Sequence, residues 1–193
     1  MNAVAVVTNM LESLDTIDWT SVRHAYGVAS DIPPLLRALL STQQVERQKA
    51  LEALDNLIHH QGTLYEAAVY VAPFLVEMLE AYETPDKENI AIILALLAED
   101  KSPEDYSEKE FRWAQSLRAI IERNIHILYS YLEAKEAAVR WVMAYTLALF
   151  PRHSATSLPL LERAFTVEEQ PNIKEGIGKA IMKLKSQSTN NTS

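Results

Sequence analysis

Along most of the chain, apolar residues recur every three or four positions, the spacing that places them on one face of an α-helix. VERQKALEALDNLIHH (45–60) puts Ala50, Leu51, Leu54, Leu57 and Ile58 on such a face. KENIAIILALLAED (87–100), AAVRWVMAYTLALF (137–150) and NIKEGIGKAIMKLK (172–185) read the same way, as does a long pattern over roughly 108–134. Val4, Val7, Leu11 and Leu14 predict an N-terminal helix over about 2–14, and a short helix is expected after Asp18. No two-residue alternation competes with these patterns. The fold class read from the chain is therefore all-α, with nine or so helices joined by short turns.

The helical segments repeat. PLLRALL (34–40), PFLVEML (73–79) and PLLERAF (159–165) share one order of proline, large apolar residue and leucine. The first two prolines are 39 residues apart and the next two 86 apart, about two further periods. A period near 40 is that of a helix-pair solenoid. Each proline segment is followed by a second helical pattern. The last two second helices also align with each other, Val139-Arg140 with Ile173-Lys174, at an offset of 34. Pro33 and Pro34 fall in a first turn, where a missing amide costs little. Pro73 falls inside a helix and should kink it by losing the bond to Val69.

Between two of these helices stands IHHQGTLYEA (58–67), with its adjacent His59 and His60. A structural reading accounts for it. Gly62 suits the left-handed conformation that ends a helix. Thr63 and Glu66 have capping-box spacing. The two histidines would then occupy the last turn of the preceding helix, where the dipole favours positive charge. A metal reading is weaker: adjacent helical residues point about 100° apart and cannot readily share one ion, and His24 could serve as a third ligand only if the fold brought it near. A polar ligand-binding role for His59 and His60 is the remaining alternative. HAYGVASDIPP (24–34) offers the same device one repeat earlier, with a stop at Gly27 and an N-cap at Ser30 or Asp31.

WTSVRHAYGVASDIPPLLRALL followed by ERQKALEALDNLIHHQGTLYEAAVYVAPFL resembles a group of bacterial HEAT-repeat proteins, members of the armadillo-type α-solenoids. Their signature runs from a Trp and HAYG through a His-Gln-Gly-Thr turn to a Pro-Phe-Leu helix. The likeness covers residues 19–80 well and the remainder at the level of the repeat. It implies a right-handed α–α superhelix of HEAT-like helix pairs, and it implies no activity. The stretch 108–134 departs from the pattern, having no matching proline. The expected organisation is one domain over 1–186, with 1–30 as N-terminal capping helices and 187–193 as a disordered tail.

Composition narrows the functional classes. Apolar residues make up 48% of the 193, which supports a sizeable core and argues against disorder. No cysteine is present, so disulfides, thiolate metal sites and cysteine nucleophiles are excluded. The net charge of −8 disfavours nucleic acid as a partner and favours a protein carrying a basic patch. The longest apolar stretch, IAIILALLA (90–98), is too short to span a bilayer, and MNAVAVVTNM lacks the features of a signal peptide, so a cytoplasmic protein is expected.

Glu77 with Glu80, or Asp100 with Glu104 and Asp105, could be drawn as an acid–base pair, but each reads more simply as a solvated face or loop. No nucleophile triad, phosphate loop or metal-ligand cluster is present, so no catalytic residue, metal or cofactor is assigned. The aromatic residues carry more information. Trp141 and Tyr145 lie four apart, opposite Val139, Val142, Leu149 and Phe150, so helix 137–150 is apolar nearly all round. Burial between two layers is the first reading and a partner surface the second. Trp113 and Tyr106, flanking the acidic loop, are read the same way. Arg140 is expected to pair with a neighbouring carboxylate, as is Arg47. Gly176 and Gly178, inside a helix, are expected to admit close approach of the preceding helix. The leading function is a non-enzymatic binding module holding a protein on a concave face lined by second helices. An immunity-type protein masking a toxin is one version. A HEAT-like enzyme, bilin-lyase-like or DNA-processing, is the alternative.

Overall fold

The computed structural model describes residues 11–98 and 103–190. Residues 2–10 of the expected first helix, Asp100, and the last three residues of the expected tail lie outside them. The described chain is mainly helical, as the spacing predicts. One domain was expected over 1–186; the contacts group the chain into two compact units, Met1–Ile120 and Ile121–Ser193.

In the first unit, helices α1 (Ile32–Ala38) and α2 (Gln44–Ile58) pack together, followed by α3 (Glu66–Glu80) and α4 (Lys87–Leu96). Pro33 and Pro34 sit in the first turn of α1, where no amide is needed. α3 is the centre of this unit. Nine of its residues are buried, from Ala67 to Leu79, on nearly every side. Its alanines let α4 and the neighbouring chain come close, while Phe74, Leu75 and Met78 supply apolar area worth about 1.5–3 kcal/mol for each buried side chain. Pro73 lies inside α3, so the carbonyl of Val69 lacks its usual amide partner.

Helix α5 (Glu108–Arg123) begins with a capping box. Glu110 accepts from the Ser107 amide at 2.9 Å, and the Ser107 hydroxyl accepts from the Glu110 amide at 3.3 Å. The helix expected over 108–134 is broken. After α5 come a short α6 (His126–Tyr129) and a 3-10 turn, Ser130–Glu133. The second unit is completed by α7 (Ala137–Leu147), α8 (Ser154–Val167) and α9 (Pro171–Asn190). α9 packs against both α7 and α8. It runs to Asn190, so residues 187–190 of the expected tail are helical.

The N-terminal part departs most from expectation. Glu12–Thr16 is a 3-10 turn, and no helix follows Asp18. The Asp18 carboxylate instead accepts from the amide and hydroxyl of Thr20, which closes a turn. The chain then forms a two-stranded hairpin, β1 (Arg23–His24) with β2 (Gly27–Val28). A second hairpin, β3 (His59–His60) with β4 (Thr63–Leu64), occupies the stretch read as a helix end. Segment 11–31 is therefore a turn and a hairpin, where capping helices were expected.

Three helices repeat one side-chain device. Arg47 in α2, Arg140 in α7 and Lys174 in α9 are each the fourth residue of their helix. Each reaches back to a carbonyl six residues earlier: Ser41 and Ala134 at 2.9 Å, Glu168 at 3.2 Å. A cation at this position satisfies a carbonyl in the loop between paired helices, and it ties that loop to the helix after it.

Candidate functional site

The histidines belong to the first unit. In the β3–β4 hairpin, Gln61 and Gly62 form a two-residue turn with φ of 50° and 74°. Two successive positive φ values are the mark of a type I′ turn, whose twist matches paired strands. Gly62 therefore takes the left-handed region as expected, but in a hairpin instead of at a helix end. Thr63 pairs with His60 across the hairpin and does not cap. Tyr65 is the N-cap of α3, without a side-chain bond, and Glu66 accepts from the Arg23 amide at 3.2 Å. The expected Thr63–Glu66 capping box is absent because a short ladder engages Thr63 first. His59 and His60 correspondingly lie beyond the end of α2 at Ile58, on a strand.

The two hairpins meet. The Ala25 amide donates to Leu57 at 3.0 Å, and the Tyr26 hydroxyl lies 3.2 Å from His60 Nδ1, their rings 5.2 Å apart. His24 is buried beneath them. The Tyr26 amide donates to its Nδ1 at 3.0 Å, and its Nε2 bonds Asp31 at 3.0 Å. Nδ1 accepts, so the proton is on Nε2 and donates to the carboxylate. Both nitrogens of His24 are thus used, which leaves none for a metal ion. Asp31, the N-cap of α1, spends its carboxylate on His24 and makes no cap bond. Among the described residues, no group of three or more His, Asp and Glu is placed to hold a metal. Tyr26, which sequence reasoning did not single out, is the residue that joins the hairpins.

Glu77 is half-buried; burial, then the charges of Glu12 and Glu80, raise its pKa above the ordinary 4.5. Glu104 and Asp105 are exposed on a 3-10 turn. Burial likewise raises Asp55 above its ordinary value, with His59 opposing.

The second unit brings together three of the sequence-selected residues. Arg140 forms a two-pronged pair with Glu168, Nε to one oxygen at 2.7 Å and Nη2 to the other at 2.9 Å. The Glu168 side chain is 2% exposed. The Arg140 bonds hold its carboxyl below the usual range against the opposing effect of burial, with the Gln170 amide assisting. Arg140 is therefore committed to a neighbouring carboxylate, as is Arg47, which bonds Asp86 at 2.6 Å. Both serve the frame. A pocket of about 370 Å³ opens beside Arg140, whose guanidinium already makes four hydrogen bonds, to Glu168 and to the carbonyls of Ala134 and Lys135.

Trp141 and Tyr145 stand one turn apart on α7, on the side away from buried Val139 and Met143. Their rings stack at 6.0 Å with an interplanar angle of 23°. They are 44% and 41% exposed, so this face is not sealed between two layers. Lys183 of α9 lies over the Tyr145 ring at 5.4 Å. The Trp141 indole lies directly over Gly176, where a methyl group would collide with its Cδ1 and Nε1. The glycine thus permits close approach, as expected, but of α7. Gly178 makes room for Phe165 of α8, the preceding helix. Trp113 lies half-buried on α5. Lys183 was missed because nothing in a lysine's own spacing tells which ring it will cover.

Comparison with family models, with curated proteins and with solved structures finds no match to this chain. No helix among the described residues is long and apolar enough to cross a membrane.

Proposed function

We propose that the chain is a non-enzymatic protein-binding module of the HEAT-like helix-pair class, and that its partner docks on the Trp141–Tyr145 face of the second unit. The observation that carries the reading is the exposed, stacked aromatic pair held rigid by its neighbours. Trp and Tyr dominate binding energetics because they cover large area with little loss of side-chain freedom. Here Gly176 beneath the indole and Lys183 over the phenol ring restrict both rings before any partner arrives, which lowers the ordering cost of association. The repeat-level reading is supported by the cation that recurs as the fourth residue of α2, α7 and α9.

Charge at this face differs from that of the whole chain. α9 places Lys183 over the Tyr145 ring. A partner here meets lysine, so acidic and aromatic groups complement it better than the basic patch that a net charge of −8 suggests.

The experiment is a photo-crosslinking amino acid at position 145 in cells that make the protein, with the same group at Tyr82 as control; Tyr82 is 96% exposed on the first unit. One stoichiometric protein adduct at 145, lost on Trp141→Ala and absent at 82, is the expected result. No adduct, or the same adducts from both positions, overturns the reading.

A further inference from the structure

Opposite its Trp141 flank, α9 bounds a groove of about 630 Å³ shared with α8. Phe165, Ile181 and Met182 line it, with Glu162, Lys179 and Lys185 at its edges. Met182 is 64% exposed beside the half-exposed Phe165, so the groove presents an apolar patch and not a lone side chain.

Along this flank Glu175, Gly178, Met182 and Lys185 follow one another at spacings of three, four and three. That spacing keeps all four on one side of a helix. It also reads the same in both directions. We propose that this stripe pairs with the same stripe of a second copy of the chain, antiparallel about a two-fold axis at the level of residue 180. Glu175 then faces Lys185 of the second copy, and Gly178 faces its Met182, each match occurring twice. An isologous contact requires such reciprocity, residue i meeting j and j meeting i.

Shape and charge both favour this occupant. Gly178 leaves the helix surface without a side chain, and Phe165 stands behind it, 3.2 Å from where a Cβ would lie. Met182 of the second copy fills that hollow and sets its sulfur near the ring, a favourable contact for a flexible side chain. A wholly basic partner would confront Lys179 and Lys185, and a wholly acidic one Glu162 and Glu175. A partner carrying both signs in reversed order meets each with its opposite, and the antiparallel copy sets Glu175 against Lys185 and Lys185 against Glu175 while Lys179 and Glu162 stay in solvent at the rim. The existing pairs, Lys185 with Glu162 and Lys179 with Glu175, both at 2.7 Å, are more than half exposed. Exposed pairs of this kind contribute little, so realigning two of their members across an interface loses little.

Size sets the strength. The 14 residues of α8 and 20 of α9 make a face roughly 20–30 Å long. At two helix widths, of roughly 9 Å each, a dimer buries on the order of 1,000 Å² in total, the lower end for specific association. Dissociation on the order of tens of micromolar is therefore expected.

The test is sedimentation equilibrium of the full chain from about 5 to 500 μM at about 0.15 M salt, where the Debye length of about 8 Å screens the overall charge but not facing side chains. The mass is expected to rise from 21.8 kDa toward twice that value. Glu175→Lys and Lys185→Glu should each weaken the dimer by about tenfold, and the double exchange should restore it to within about threefold. Met182→Asp should leave a monomer with unchanged helical circular dichroism. A constant mass of 21.8 kDa, a dimer indifferent to the single exchanges, or a double exchange that fails to restore it would each overturn the pairing.

Discussion

Glu168 and Glu77 show how one residue type serves opposite ends according to its surroundings. Arg140 holds the Glu168 carboxyl below its ordinary 4.5, so its ionised form stabilises the fold. That contribution is complete above pH 4.5 and is lost as pH falls through the lowered folded value. Glu168→Gln should therefore lower Tm at pH 7, with the penalty shrinking in acid. Burial and the charges of Glu12 and Glu80 raise Glu77, so its ionisation opposes folding as pH climbs past 4.5. Glu77→Gln should raise Tm at pH 7 and leave it unchanged below 4.5. Thermal melts of both variants at about pH 4 and 7 check the two signs together. Arg140→Met, which strands the buried Glu168 charge, should cost about 3–5 kcal/mol. That Arg140 would find a carboxylate was legible in the sequence. Its identity was not, because Glu168 lies 28 residues on and only the packing of α8 brings it back.

The helices were legible as elements and the hairpins were not. Long stretches such as 45–60 and 172–185 show several apolar returns, enough to fix a period. A two-residue strand has no period to read. The motif at 58–67 was seen as a junction, which it is, but the choice between a helix end and a hairpin turned on Gln61. A glutamine at φ 50° is uncommon and gives no signal in advance. Gln61→Asn should suit a type I′ turn better and stabilise by about 0.5 kcal/mol. Gly62→Val should cost about 1–2 kcal/mol, since φ of 74° strains a β-branched residue. Denaturant midpoints of the two variants decide. The helical glycines offer a matching contrast. Ala in place of Gly gains about 1 kcal/mol in helix propensity. At Gly176 the rigid indole of Trp141 stands in the way, and displacing it costs about 1–3 kcal/mol, so Gly176→Ala should destabilise. At Gly178 the facing atom is the edge of a partly exposed Phe165 ring, which can turn aside, so Gly178→Ala should be neutral or stabilising. Tm values and the Trp emission maximum of the two variants test this.

At the scale of the whole molecule, the two compact units carry different equipment. Met1–Ile120 holds the buried His24–Asp31 pair and the joined hairpins, which are fully occupied with one another. Ile121–Ser193 holds the exposed aromatic face. Half of that candidate site was visible beforehand. A tryptophan and a tyrosine four apart declare a shared face, but whether the face is covered depends on neighbours that the spacing of α7 alone cannot supply. Net charge is silent on this face for the same reason, because it averages the whole acidic chain while the Tyr145 ring lies under Lys183. The most direct measurement is therefore the crosslink at position 145 in cells that make the protein. The account predicts one stoichiometric protein adduct that disappears with Trp141→Ala while Tm stays within a few degrees. Failure of position 145 to capture any protein that the Tyr82 control does not also capture would contradict it.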